Sequence, residues 1–209
     1  MSLNAQYLIV VLLTFVCVVV VIYLLYFLLF APPGLPIFTL TSATFSPLII
    51  SPSHTSSSDL TFSIQKPYNK VQYLYHSLNV SIFHTFHLIF QGSTVANFSQ
   101  GPEDYEPSTI ALGAAGVHLR KAVARDLIHD LGRDGGNVSF RVRVEGCVKF
   151  GWVLHRTHFI TALCGDVPVG YASNTSGGLL LATQVCESRL CDSGPDAEDS
   201  SCLNAVISC

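Results

Sequence analysis

Between Tyr7 and Phe30 the chain reads YLIVVLLTFVCVVVVIYLLYFLLF, 24 residues without a charged side chain, a glycine or a proline. At helical rise the run spans roughly 36 Å, enough to cross a hydrocarbon layer of about 30 Å with some tilt. A cleaved secretory signal has a shorter apolar core and small residues before the cut. Here Ala31 has Leu29 two positions before it and Pro32 directly after it, so the run is expected to be an uncleaved signal anchor.

Beyond the span the period changes. Apolar residues alternate in short runs: Leu60/Phe62/Ile64, Val71/Tyr73/Tyr75, Leu78/Val80/Ile82, Phe86/Leu88/Phe90, Val138/Phe140/Val142/Val144 and Phe159 to Leu163. Period two, broken by Gly, Pro, Asn and Ser, predicts a half-buried antiparallel sheet and hence a sandwich or barrel. One stretch differs. From Val117 to Leu131 the apolar positions 119, 123, 127 and 131 recur every four residues, and Gly132 follows where a C-terminal cap belongs. This predicts one amphipathic helix laid on the sheet. The resulting division is a short tail at 1–6, a transmembrane helix at 7–30, a Pro-rich stalk at 31–37, a β domain at 38–186 and an acidic tail at 187–209. That tail has no apolar period and is expected to be disordered.

Charge narrows the function classes. Only 12% of the 209 residues are charged, and the net charge is −3. From Glu187 onward five acids face one base, Arg189, for a net −4, leaving the remainder near +1. No basic stripe suits a nucleic-acid backbone, so no nucleic-acid partner is expected. Residues 1–65 hold no Lys or Arg, so the positive-inside rule has little to count. Two other signals speak to the side. Four asparagines, Asn79, Asn97, Asn137 and Asn174, stand in glycosylation sequons. Six of the seven cysteines lie beyond the span, an even number that suits an oxidising compartment. The β domain is therefore expected on the lumenal or extracellular side.

Cys147 and Cys164 bracket Gly151 to Thr157. A hairpin turning at His155-Arg156 would set them opposite each other within disulfide reach, and that crosslink is expected. Cys186, Cys191, Cys202 and Cys209 have no connectivity legible from sequence, and Cys17 is expected simply to pack within the span.

Catalytic motifs are sparse. The sequence holds no Gly-x-Ser-x-Gly, His-Glu-x-x-His or Cys-x-x-Cys. His84 and His87, three apart on one predicted strand, point to opposite faces. His155 and His158 flank the expected turn, where exposed histidines are ordinary. His129-Asp130 with Asp126 and Asp134 fits a weak cation site and a solvated helix face with its following loop equally, and Glu103-Asp104-Glu106 reads as a solvated loop rather than an acidic catalytic pair. No enzyme, cofactor or metal site is expected.

Phe30-Ala31-Pro32-Pro33-Gly34-Leu35-Pro36-Ile37-Phe38-Thr39-Leu40 after an anchor helix resembles the membrane exit of the plant harpin-induced-like and non-race-specific-disease-resistance-like proteins. Lys66-Pro67-Tyr68-Asn69-Lys70, with the Tyr-rich strand that follows, is similar to that family's Asn-Pro-Asn region, although the triplet here is Lys66-Pro67-Tyr68. Phe90-Gln91-Gly92 resembles its Phe-x-Gln turn, and the order of single helix, strand and cysteine pair is shared from about residue 7 to 185. The resemblance implies a late embryogenesis abundant group 2 domain, an antiparallel, fibronectin III-like β-sandwich with one helix. It implies a non-catalytic plasma-membrane protein in plant defence or stress response. Its partners would be the lipid bilayer and membrane or cell-wall proteins, with self-association. Two alternatives from other classes are a binder of an apolar ligand in the sandwich core and a lumenal hydrolase with its site split across loops.

Overall fold

The computed structural model describes residues 3–30, 34–46, 56–67, 71–94, 97–133, 136–151, 156–171 and 177–191. Among the described residues an apolar helix, α1 (Leu3–Phe30), is followed by a mainly antiparallel β domain of ten strands with one further helix. The strands are β1 (Ile37–Phe45), β2 (Ser57–Gln65), β3 (Gln72–His84), β4 (His87–Thr94), β5 (Phe98–Gln100), β6 (Ser108–Gly116), β7 (Asn137–Gly151), β8 (Arg156–Tyr171), β9 (Gly178–Leu180) and β10 (Gln184–Cys191). Helix α2 (Lys121–Arg133) lies between β6 and β7.

The run Tyr7–Tyr26 inside α1 is long and apolar enough to cross a membrane, and none of it is buried. A core helix of a soluble domain would bury such a surface.

Hydrogen-bonded neighbours follow the order β10-β1-β2-β6-β4-β3-β7-β8, and β8 pairs with β10. The circuit therefore closes on itself and leaves these eight strands without an open edge. β5 adds to β3, while β9 bridges β1 and β8. Alternation selects the inner face: Leu60, Phe62 and Ile64 of β2 and Val142 and Val144 of β7 are buried with Phe38, Leu40, Tyr73, Tyr75 and Phe140. Their area burial is the main stabilising term.

The runs Val71/Tyr73/Tyr75 and Leu78/Val80/Ile82 belong to one strand rather than two. β3 carries an irregularity against β7 between His76 and Asn79. Odd residues face inward before it and even ones after it, as an extra residue in one strand requires. The run Phe86/Leu88/Phe90 is corrected in part, since Phe86 sits 88% exposed in the β3–β4 turn while Ile89 and Phe90 are buried. In α2, Val123 and Leu127 are buried as the four-residue spacing predicts. The helix runs through Gly132, however, to Arg133, and the glycine with positive φ is Gly136, at +90°. The Gly136 amide reaches back to the Leu131 carbonyl at 2.9 Å, and only glycine takes that backbone angle without strain.

Two segment boundaries also move. Residues 187–191 belong to β10, so the β domain extends beyond 186; residues 192–209 lie outside the described residues. The stalk, in turn, is not a free spacer over its described part. Pro36 is buried. Tyr73 donates its hydroxyl to the Gly34 carbonyl at 2.9 Å, and Ser188 donates to the Pro36 carbonyl at 2.7 Å.

Gly92, the last residue of Phe90-Gln91-Gly92, lets β4 and β6 approach. A Cβ there would run into the Gly113 carbonyl, so this glycine is required by packing between strands.

Candidate functional site

The expected Cys147–Cys164 crosslink does not form. Cys147 pairs across the hairpin with Phe159, and Cys164 lies opposite Val142. The hairpin is centred nearer residue 153 than His155-Arg156, which puts the two cysteines five residues apart along the ladder, roughly 17 Å at strand rise. A disulfide cannot span that. Cys164 bonds instead to Cys186, with Cα atoms 4.2 Å apart. The register that sets Glu187 against Leu163 places those two cysteines directly opposite, at the seam where β8 meets β10. Cys147 is also disulfide-bonded. The hairpin tip at 152–155 lies outside the described residues.

At the end of the sheet where β3 turns into β4, a cleft of about 290 Å³ is lined by His84, Thr85, Asp130, Asn137, Arg141 and Asp166, among others. His84 is the last residue of β3 and faces inward, 6% exposed. Thr85 follows at φ +54° and closes the turn by donating to the His84 carbonyl at 2.6 Å. The His84 ring lies edge-on to Phe140, with centroids 5.9 Å apart. Its Nε2 is 3.1 Å from Asp130 Oδ2, and its Nδ1 is 3.4 Å from the Ser139 carbonyl. Both ring nitrogens thus face acceptors. A neutral tautomer serves one of them, and only the imidazolium donates to both. His84 pins α2 against the end of β3 and β7. Neither nitrogen faces a hydroxyl nucleophile, because Ser139 presents its carbonyl to the ring.

The other singled-out residues are separate. His84 and His87 pair across a two-residue turn, one buried and the other exposed, rather than lying along one strand. Within α2, Asp130 is taken by His84, with His129 Nδ1 3.8 Å from its other oxygen; Asp134 lies outside the described residues. His158 stacks on Phe150 at 4.7 Å, and His155 lies outside the described residues. In the loop after β5, Asp104 accepts from the Gly101 amide at 2.5 Å, closing a solvated turn. Among the described residues no group of three His, Cys, Asp or Glu side chains is placed to hold a metal.

Three sequon asparagines are solvent-exposed: Asn79 in β3, Asn97 before β5 and Asn137 at the start of β7. Asn97 Oδ1 lies 3.2 Å from His76 Nδ1, and Asn137 lines the cleft. Asn174 lies outside the described residues.

Of the turn motif, Tyr68 and Asn69 lie outside the described residues, Pro67 is exposed, and Lys66 is buried. The Lys66 ammonium donates to the Gly101 carbonyl, part of the compensation a buried charge requires. Beside it, Gln100 is fully buried. It accepts from the Tyr75 hydroxyl at 2.9 Å and donates to the Ile64 carbonyl at 2.8 Å. Burial, with Tyr73 adding to it, holds the Tyr75 phenol well above its ordinary range. Tyr171 is pushed the same way by burial. No sequence motif marks this polar cluster. Its signal is a lysine and a glutamine next to strands whose remaining inward positions are apolar.

No family model matches the chain, and no curated protein matches it. Among solved structures, the chain is similar to "Crystal structure of protein from Archaeoglobus fulgidus", at 11% identity and a TM-score of 0.35, over 61% of this chain and 97% of that one.

Proposed function

We propose that the chain is a non-catalytic, single-pass membrane protein whose β domain stands on the extracellular side of the plasma membrane and works by contact with other proteins. One observation carries the reading: a domain crosslinked by Cys164–Cys186 follows directly on an unburied apolar helix. Disulfides persist where the compartment is oxidising, and an unburied run of that length needs a lipid surround. The exposure of Asn79, Asn97 and Asn137 agrees with glycan attachment on the same side.

The domain is read as a late embryogenesis abundant group 2, fibronectin III-like β-sandwich of the harpin-induced-like kind. The succession of anchor, strands, single helix and closing strands supports that reading. A role in plant defence or stress response follows from it, with the bilayer, membrane or wall proteins and further copies as partners. The described cleft mixes charged groups such as Asp130, Arg141 and Asp166 with Val138 and Phe140 and lies at the rim of the sheet, so it lends no support to an apolar ligand held in the core.

The test is a glycosidase mobility shift on microsomal protein combined with protease protection of the β domain. A shift with protection is expected. No shift and full digestion would place the domain in the cytosol and overturn the reading. A mature chain lacking residues 1–30 would identify the helix as a cleaved signal instead.

A further inference from the structure

At the start of β7 the polar residues Asn137, Ser139 and Arg141 alternate with the buried Val138 and Phe140 and stand exposed. All three line the cleft of about 290 Å³ at this end of the sheet. At strand rise they follow one another at intervals of roughly 7 Å along one wall. Beside Arg141 the ladder slips: Phe140 faces Val167, while Val142 faces Cys164. Gly165 and Asp166 therefore oppose a single residue, and Asp166 takes a φ of +49°. Thr85, at +54°, lines the cleft from the β3–β4 turn. Among the described residues three non-glycine residues have positive φ, and two of them are here. Such conformations persist where their surroundings over-determine them, and they gather at ligand-holding positions. Arg141 and Asp166 stand across the ladder from each other, yet neither enters an ion pair among the described residues.

Asn137-Val138-Ser139 is also a glycosylation sequon, so the cleft carries an attachment point in its own wall. The other described sequons differ. Asn79 lies mid-strand, flanked by Ser93 and Glu145 on the neighbouring strands, and Asn97 sits beside His76; neither lines the cleft. The walls suit a sugar. Asp130 and Asp166 accept hydrogen bonds from hydroxyls, Arg141 donates to ring and acyl oxygens, and Val138 and Phe140 offer apolar area to the C–H face of a ring. The volume equals that of about ten liquid waters at roughly 30 Å³ each, room for one pyranose ring but not for a branched oligosaccharide.

We infer that Asn137 carries an N-linked glycan whose first sugar, an N-acetylhexosamine, folds back into this cleft and is held there by Arg141, Asp166 and Asp130. The inference rests on the extracellular reading, since the sugar donor is lumenal. Attachment forms one bond, from the Asn137 amide nitrogen to the anomeric carbon of the sugar. It breaks one, from that carbon to the diphosphate of a lipid-linked oligosaccharide, and the amide gives up a proton. Tethering is what fills the site. A shallow polar cleft with a Kd of about 1 mM retains little free sugar, but at an effective concentration of about 10 mM a tethered one is seated roughly nine-tenths of the time. Once seated, the sugar joins α2 through Asp130 to the β3–β4 turn and to both long strands, a tie across elements that the His84–Asp130 contact otherwise makes alone among the described side-chain bonds.

The test is site-resolved deglycosylation of the full-length chain, purified in detergent from microsomes. A peptide N-glycosidase acts in heavy-oxygen water on the native and on the denatured chain, and mass spectrometry counts the labelled aspartate formed at each sequon. At Asn137 release from the native chain should be about tenfold slower than from the denatured one, as the seated fraction requires. Arg141→Ala should restore most of that rate while leaving native release at Asn79 and Asn97 unchanged, which separates an emptied cleft from an unfolded domain. Equal native and denatured rates at Asn137 would overturn the inference, as would slow release that neither Arg141→Ala nor Asp166→Ala relieves. Asn137 bare while Asn79 or Asn97 is occupied would overturn it and leave the extracellular reading standing; all three bare would overturn both. A second readout leaves the charged walls intact. Ser139→Ala abolishes the sequon but keeps the carbonyl that faces His84, and it should raise amide exchange around Asp130 in α2 several-fold. Unchanged exchange there would overturn the seating.

Discussion

Replacing Cys164 and Cys186 together by alanine removes the covalent tie at the β8–β10 seam without leaving a reactive thiol. The bond closes a loop with a sequence separation of 22. The chain-entropy relation for a loop of that length gives about 3.4 kcal/mol at 25 °C from restriction of the unfolded chain. Because Cys164 is fully buried, the alanine there also leaves a small void, which adds to the cost. For a domain of this size, where each kcal/mol shifts the midpoint by about 2–4 °C, the loss is a fall in Tm of about 7–14 °C. The assay is thermal unfolding of the detergent-solubilised chain under oxidising conditions, with parent and double variant at equal concentration. Since the seam is also held by the ladder from Glu187–Leu163 to Cys191–Phe159, the variant should still fold. A Tm within about 2 °C of the parent, with the parent's bond confirmed by mass, would refute the assignment of stability to this closure.

Three further outcomes are expected. Gln100→Leu strands the buried Tyr75 hydroxyl and the Ile64 carbonyl and should cost about 2–4 kcal/mol in denaturant unfolding, whereas adding Tyr75→Phe should recover part of it; strictly additive losses would contradict the hydrogen-bond reading. His84→Ala removes the pin to Asp130 and should raise amide exchange across α2 well above that of β7; unchanged protection of α2 would show that the pin does not hold the helix. Tyr75 and Tyr171 both have raised phenol values in the folded domain. The unfolded chain therefore loses its protons first, and stability is full below the ordinary phenol value of 10.0 and falls as pH rises past it. A stability curve flat from pH 9 to 11.5 would be inconsistent with that burial.

How much of this was legible in the sequence depends on how each element is stabilised. Strands β2 and β7 show most of their period because their inward positions, Ser58 and Gly146 apart, are large and apolar. In β3 the period jumps at the irregularity after His76, and one strand reads as two. Strand β6, with the sequence STIALGAAG, carries little apolar bulk, because β4 and β6 meet at the backbone of Gly92 and Gly113. Strand β10 hid in an acidic stretch: Glu187 and Arg189 face outward and bond each other at 2.8 Å, while Cys186 is held by a covalent bond. Cysteine pairing failed for a related reason. It depends on a register set by the whole ladder, and displacing the turn by a few residues moves the partner to another strand. Buried Lys66, Gln100 and His84 were illegible because their burial is decided by partners distant in sequence, such as Gly101 for Lys66 and Asp130 for His84.

The position of β1 has a mechanical consequence. Tension on the anchor helix enters the domain at Ile37, and β1 is flanked along its length by β2 on one side and by β10 and β9 on the other. The two side-chain bonds to Gly34 and Pro36 meet the load first. Beyond them the pull runs along the ladder, so many backbone bonds share it at once instead of opening singly from an edge. Resistance to such a pull is governed by the unfolding rate rather than by equilibrium stability. On the proposed reading of a surface domain held by a membrane helix, this attachment would suit it to keeping a contact while membrane and surroundings move against each other.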